Sequence, residues 1–220
     1  MLLAQAGGRP RGGQLGRVDT ALCLAMDVSA SVDFQEFGLM AGGTAQALRD
    51  PGVVAAATAG PQGAAALCLL LWSGVGQRDL ALGWTRLDGP DSAAAIADAI
   101  ENTPRIPQPG ATALGEGMAA GLALLASFPG EATRLVLDVS GDGTHNAGRP
   151  PGPVRDLAVQ AGFTVNGLAI LNEEPDLLAH YADQVIGGPG SFAMSVGDYI
   201  DFAEAILRKL RRELSPSLIA

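Results

Sequence analysis

Basic residues are scarce in this chain. Fourteen lysines and arginines face 23 aspartates and glutamates over 220 residues, a formal net charge of −9. A nucleic-acid binder needs a basic face, so the balance argues against that class. It leaves an anionic partner open, because salt screens surface charge beyond ~8–10 Å and a bound cation dominates its own surroundings. Cysteine and histidine are equally thin, two of each, and their wide spacing forms no zinc signature. Cys23 and Cys68 each lie in an apolar, strand-like run and read as buried free thiols rather than a bridge. Aromatic residues make up 5% and charged residues 17%, so the core must be built mainly from Ala, Leu and Val. No apolar run approaches the ~18–20 residues of a membrane span. Too few apolar residues precede Ala4-Gln5-Ala6 for a whole export signal of ~7–15, although that tripeptide has the small-x-small form of a cleavage site. Residues 1–17 therefore read as a flexible segment, the remnant of a signal peptide or a plain tail. An exported or periplasmic location is favoured over a cytoplasmic one.

What is present is an alternation of apolar strands with amphipathic or Ala-rich helices. Val18–Met26 reads as a buried strand. Asp33–Arg49 reads as a helix, with Asp33 as N-cap and Glu36 three places on, a capping box. Ala64–Trp72 is a second continuous apolar strand. Asp79–Trp84 alternates and follows a short Gly74–Gln77 connection, which predicts a hairpin and an antiparallel edge. Helices are predicted over Asp91–Asn102, Leu114–Ser127 and Pro153–Ala161, with a short one near Pro175–Tyr181. Strands are predicted over Arg134–Val139 and Thr164–Leu171, with one or two more within Asp183–Val196. Asp198–Leu214 closes the pattern as a helix burying Ile200, Ala203, Ile206, Leu207 and Leu210. Its basic residues Arg208, Lys209, Arg211 and Arg212 read as a solvated face. The expected fold is a doubly wound α/β domain over residues 18–214, with a short tail at 215–220. Its six-stranded sheet is mostly parallel, with one antiparallel edge strand and helices on both faces.

Three segments should converge at the carboxyl edge of that sheet. Asp27-Val28-Ser29-Ala30-Ser31 follows the first strand directly. Gly110-Ala111-Thr112-Ala113-Leu114 opens a helix. Ser140-Gly141-Asp142-Gly143 follows the strand that ends at Val139. The strands before Asp27 and Asp142 are natural neighbours at the chain reversal, where ligands bind in open α/β sheets. An all-oxygen set of two carboxylates and three hydroxyls suits a hard cation such as Mg²⁺. Each residue also has a plainer use. Asp27 and Ser31 could end a strand and begin a helix, Thr112 could be an N-cap, and Asp142-Gly143 a turn. Asp33 reads as a cap rather than a ligand, and His145 as a surface histidine.

Asp27-x-Ser29-x-Ser31, Thr112 and Asp142-Gly143, in this order, resemble the metal-ion-dependent adhesion site of von Willebrand factor type A domains. The wider chain, over about residues 18–214, is similar to an uncharacterised bacterial branch of that superfamily. The likeness is carried by Val18–Leu22, Trp72-Ser73-Gly74, Asp138–Gly143, Asn166–Ile170, Val185–Gly190 and Asp201–Ile206. The resemblance implies a metal held by Asp27, Ser29, Ser31, Thr112 and Asp142, with Gly110, Gly143 and His145 at its rim. The ion would be Mg²⁺, with Mn²⁺ or Ca²⁺ as substitutes. It also implies a protein-binding, adhesion-type module rather than an enzyme, in which a partner's acidic side chain completes the coordination. Two other classes compete. A metal-assisted hydrolase would need a base near the ion, with His145 the obvious candidate. A purely structural domain would bind no metal and show no thermal shift on its addition.

Overall fold

The computed structural model describes residues 15–106 and 108–216. The expected segments at 1–17 and 215–220 lie mostly outside these, and Arg17 is already the first residue of a strand. Six strands form one sheet: β1 (Arg17–Asp27), β2 (Ala65–Trp72), β3 (Arg78–Leu87), β4 (Glu131–Gly141), β5 (Thr164–Ile170) and β6 (Ala193–Val196). Their order is β3-β2-β1-β4-β5-β6. Only β3 runs antiparallel, against β2, with two register shifts along the pair. The reversal of winding falls between β1 and β4, which are paired in parallel. The sheet is therefore the predicted doubly wound one, with its switch point at the ends of β1 and β4.

The helices are α1 (Phe34–Leu48), α2 (Pro51–Thr58), α3 (Pro90–Glu101), α4 (Leu114–Ala126), α5 (Pro151–Gln160), α6 (Leu177–His180) and α7 (Phe202–Leu214). Alternation along β1 and β2 decides what each face of the sheet receives. Leu22, Leu24, Met26, Leu67, Leu69 and Leu71 enter a core shared with α1, α2, α3 and α7. Ala21, Cys23, Ala25, Cys68, Leu70 and Trp72 enter the core under α4 and α5. In this second core β1 contributes only the small residues Ala21, Cys23 and Ala25, and α4 answers with glycines. A Cβ on Gly121 would stand 2.4 Å from Leu137 Cδ1 and 3.5 Å from Cys23 Sγ. The helix thus rides close on the sheet at a separation only glycine permits. Cys23 and Cys68 are opposite one another in register, and both are buried free thiols.

Several local expectations need correction. The helix α2 was not foreseen; Asp50 caps it by accepting the N–H groups of Gly52 and Val53 at 2.7 and 3.2 Å. The strand β4 runs to Gly141, two residues past the expected Val139. Of the one or two strands expected within Asp183–Val196, one forms, as β6, beside an isolated bridge from Val165 to Gly187, so this expectation stands. The last helix begins with a separate 3-10 turn at Tyr199–Asp201. That offset leaves Ile200 exposed, and Ala203 and Leu207 only partly buried. The buried face is instead Phe202, Ala205, Ile206, Lys209, Leu210, Glu213 and Leu214. Lys209 is therefore no part of a solvated face.

Candidate functional site

Asp27 is the last residue of β1, fully buried. The Ser29 N–H donates to Asp27 Oδ1 at 2.7 Å, which turns the carboxylate back over the loop it opens. Ser29 Oγ lies 3.2 Å from Ser31 Oγ, and Ser31 Oγ donates to Asp142 Oδ1 at 2.7 Å. Asp27, Ser29, Ser31 and Asp142 thus form one hydrogen-bonded chain across the switch point. Thr112 faces the same turn from above. Its Oγ1 is 3.4 Å from the position a Cβ on Gly143 would take. Thr112 does not cap α4; that position belongs to Ala113, which makes no side-chain cap bond. The Thr112 N–H donates to Asn146 Oδ1 at 2.8 Å, and the Asn146 N–H returns to the Thr112 carbonyl at 3.1 Å. The Gly110 carbonyl accepts from the Ala30 N–H at 2.9 Å. All three loops are therefore stitched to one another through the main chain.

The electrostatics of this cluster are those of unneutralised negative charge. Burial, and next the charge of Asp142, push the Asp27 carboxyl up to about 7. Burial also raises Asp142, against the lowering effect of the Ser31 hydroxyl. Asp27 Oδ2 and Asp142 Oδ2 are both buried without a hydrogen-bond partner, and so are the hydroxyls of Tyr181 and Tyr199. These are the only two tyrosines of the chain. A Cβ on Gly141 would stand 2.9 Å from Asp27 Oδ2 and 3.0 Å from the Tyr181 hydroxyl, so glycine keeps that corner open. Tyr199 faces Asp142, whose charge, after burial, raises the phenol.

Orphaned buried oxygens are costly and call for a partner. A hard cation fits this donor set, which has two carboxylates and three neutral hydroxyls but no thiolate or imidazole. Among the described residues no group of three or more His, Cys, Asp or Glu forms a ready metal cage. Hydroxyls or waters would have to supply the remaining ligands.

Several residues around the cluster were not foreseen. Arg105 Nη2 donates to the carbonyls of Val28 and Ser29, at 3.2 and 3.0 Å, and to that of Val32. It ties down the whole β1–α1 loop. Its guanidinium also lies 5.2 Å from the centre of the exposed Phe34 ring. Glu174 accepts the Thr144 N–H at 3.0 Å and its hydroxyl at 3.2 Å, which fixes the turn after Asp142. His145 is half-buried rather than a satisfied surface group, with Nδ1 buried and unpartnered.

The chain matches, over residues 17–218, the model of a family described as "Protein of unknown function (DUF1194)". No curated protein matches it. Among solved structures it is similar to the von Willebrand factor type A structure from Catenulispora acidiphila. The identity is 18% and the TM-score 0.61, over 90% of this chain and 43% of that one. It is also similar to proximal thread matrix protein 1 of the mussel byssus, solved with zinc in its MIDAS motif, the metal-ion-dependent adhesion site. That identity is 19% and the TM-score 0.61, over 90% of this chain and 46% of that one. A third similar structure is the pilus adhesin SpaC from Lactobacillus rhamnosus GG, at 15% identity and a TM-score of 0.63. The match covers 90% of this chain and 30% of that one. The chain spans less than half the length of each of these structures. At such identities the likeness is one of fold, and the fold is that of a von Willebrand type A domain.

Proposed function

This chain belongs to the DUF1194 family, and we propose that it is a divalent-metal-dependent protein-binding module. The observation that carries the reading is the unbroken chain from Asp27 through Ser29 and Ser31 to Asp142, with an unpartnered carboxylate oxygen at each end. In this reading Ser29, Ser31 and Thr112 offer hydroxyl oxygens, and Asp27 and Asp142 hold Mg²⁺ directly or through waters. When bound, the ion supplies a concentrated positive charge and an open coordination position, which suits a carboxylate. The hydroxyls matter because they are neutral: they leave that charge uncompensated toward the outside. Asp27 and Asp142 neutralise it from below, from inside the protein. A base or nucleophile is not required.

The surroundings favour a protein partner. Phe34, Val75 and Ile106 expose 78%, 61% and 46% of their surface. Phe34 opens α1 just after the β1 loop, Val75 lies on the loop that follows β2, and Ile106 on the segment that precedes α4. Exposed apolar side chains on the segments around the site are what a docking face would use. Fold-level analogy with an adhesin and a matrix protein points the same way, but it is analogy only.

The test is thermal unfolding with and without Mg²⁺. Binding to the native state alone raises the melting temperature of wild type. Asp27→Ala and Ser29→Ala should each abolish that rise while keeping the far-UV spectrum. An undiminished rise in both variants removes the site assignment. No rise in wild type with Mg²⁺, Mn²⁺ or Ca²⁺ favours the metal-free structural domain.

A further inference from the structure

The chain contains a single lysine, and its side chain is sealed inside the protein. Lys209 Nζ lies 2.6 Å from Asp138 Oδ1 and 2.6 Å from Glu213 Oε1, with all three side chains 0–1% exposed. Asn166 Nδ2 donates to Glu213 Oε1 at 2.9 Å, and Asn166 Oδ1 accepts the Phe192 N–H at 3.1 Å. The Phe192 ring centre is 5.6 Å from Nζ. Asp138 Oδ2 and Glu213 Oε2 are buried without partners. The cluster joins the middle of β4 to α7 and is separate from the Asp27–Asp142 crevice.

As a structural ion pair this arrangement is poor. Two carboxylates share one ammonium in a dry interior, with the Arg134 guanidinium nearby on the Glu213 carbonyl, and desolvation outweighs much of the attraction. An ammonium and a carboxylate held in contact, with water excluded, are the reactants of amide formation by loss of water. Contact at this distance supplies the proximity that a bimolecular condensation lacks. We propose that Lys209 and Asp138 condense into an intramolecular isopeptide bond, with Glu213 carrying the protons.

The balance is as follows. The Lys209 ammonium gives a proton, by way of Glu213, to the Asp138 carboxylate. The neutral Nζ attacks Asp138 Cγ, and the N–C bond forms. A second proton passes from the nitrogen through Glu213 to the leaving hydroxyl. The C–O bond breaks and one water departs. Ammonium and carboxylate have become an amide and water, Glu213 has returned to its starting state, and no oxidant or cofactor is consumed. Burial, and next the Asp138 charge, push the Glu213 carboxyl up to about 8, which suits a group that must both take and give a proton near neutral pH. A cavity of about 160 Å³, lined in part by Asn166, Phe192 and Glu213, adjoins the cluster and gives the water an exit. The product removes two buried charges and ties α7 covalently to the sheet.

Intact-mass measurement on the unfolded chain decides the matter. Wild type should be lighter than its sequence by one water, and proteolysis should yield a branched peptide containing Asp138 and Lys209. Because there is no other lysine, an amine-directed label on the unfolded wild type should report the chain terminus alone. Glu213→Gln and Asp138→Ala should each restore the full mass and one labelled ε-amine. A wild type of full sequence mass with a reactive lysine overturns the proposal, whether or not the variants fold. Loss of ammonia instead of water, with the bridge on Asn166, overturns it as well.

Discussion

Replacing Asp27 by asparagine in the metal-free protein should stabilise the fold, by an amount set by pH. The Asp27 carboxyl sits at about 7 in the folded chain, against an ordinary 3.8. A raised acid stabilises the fold fully below its unfolded value, and that contribution is lost as pH climbs toward the folded value. At ~1.4 kcal/mol per tenfold change in proton affinity, the whole loss is about 4 kcal/mol. Asp27 is completely buried, so solvent screening gives no reason to discount it. Asparagine keeps an oxygen that can accept the Ser29 N–H and carries no charge at any pH. The variant's advantage should therefore be about 2 kcal/mol near pH 5 and about 4 kcal/mol near pH 8. For a domain of this size, with ~2–4 °C per kcal/mol, the gap in melting temperature should widen by about 5–10 °C between those conditions. The repulsion from Asp142 is already part of the Asp27 shift. The assay is thermal unfolding by circular dichroism, with a chelator present throughout. Equal gaps at both pH values, or a variant less stable than wild type near pH 8, would refute the account of a stressed, unneutralised carboxylate. Adding Mg²⁺ near pH 8 should then raise wild type and leave the Asp27→Asn variant unmoved.

Two glycines should respond to alanine with opposite signs. A Cβ on Gly117 would stand 2.6 Å from Trp72 Cγ and Cδ2, so Gly117→Ala should cost about 1–3 kcal/mol by overpacking. Gly38, exposed on α1 with nothing within 4 Å of its added Cβ, should gain up to ~1 kcal/mol from helix propensity; denaturant unfolding of both variants tests the pair. Arg105→Ala strips three carbonyls of the β1–α1 loop of their donor. It should cost about 1.5–3 kcal/mol of stability and weaken Mg²⁺ binding by about 10–100-fold as its loop loosens, measured by calorimetric titration.

The sheet was legible because continuous apolar runs such as Ala65–Trp72 suit only a strand covered on both faces. The edge strand was legible for the opposite reason: β3 alternates and follows a tight Gly-containing turn. The helix α1 announced itself through Asp33 and Glu36, whose reciprocal bonds form the expected capping box. The helix α2 escaped because Pro51–Thr58 is short and apolar all round, with no period to read. Its one local signal was Asp50 followed by proline, an N-cap and N1 pair. The last helix was placed but misphased, because the 3-10 turn at Tyr199–Asp201 interrupts the 3.6-residue count that put Ile200 inside.

The candidate site divides along the same line. Asp27, Ser29, Ser31 and Asp142 were readable because each sits within a few residues of a strand end, and strand order then fixes where those ends meet. Arg105, Tyr181 and Tyr199 reach the site from distant segments with no local pattern, so nothing short of coordinates could find them. Lys209 is a different case. Phe202, Ala205, Ile206, Lys209, Leu210, Glu213 and Leu214 fall at i, i+3, i+4, i+7, i+8, i+11 and i+12, an unbroken buried stripe. Position places both Lys209 and Glu213 inside, and charge alone sets Lys209 among the residues of a solvated face. A lysine in phase with an apolar stripe, with a glutamate four residues on in the same phase, signals a buried polar cluster and not a gap in the pattern. Asp138, a lone acid within the apolar run of β4, is the counterpart that such a stripe demands.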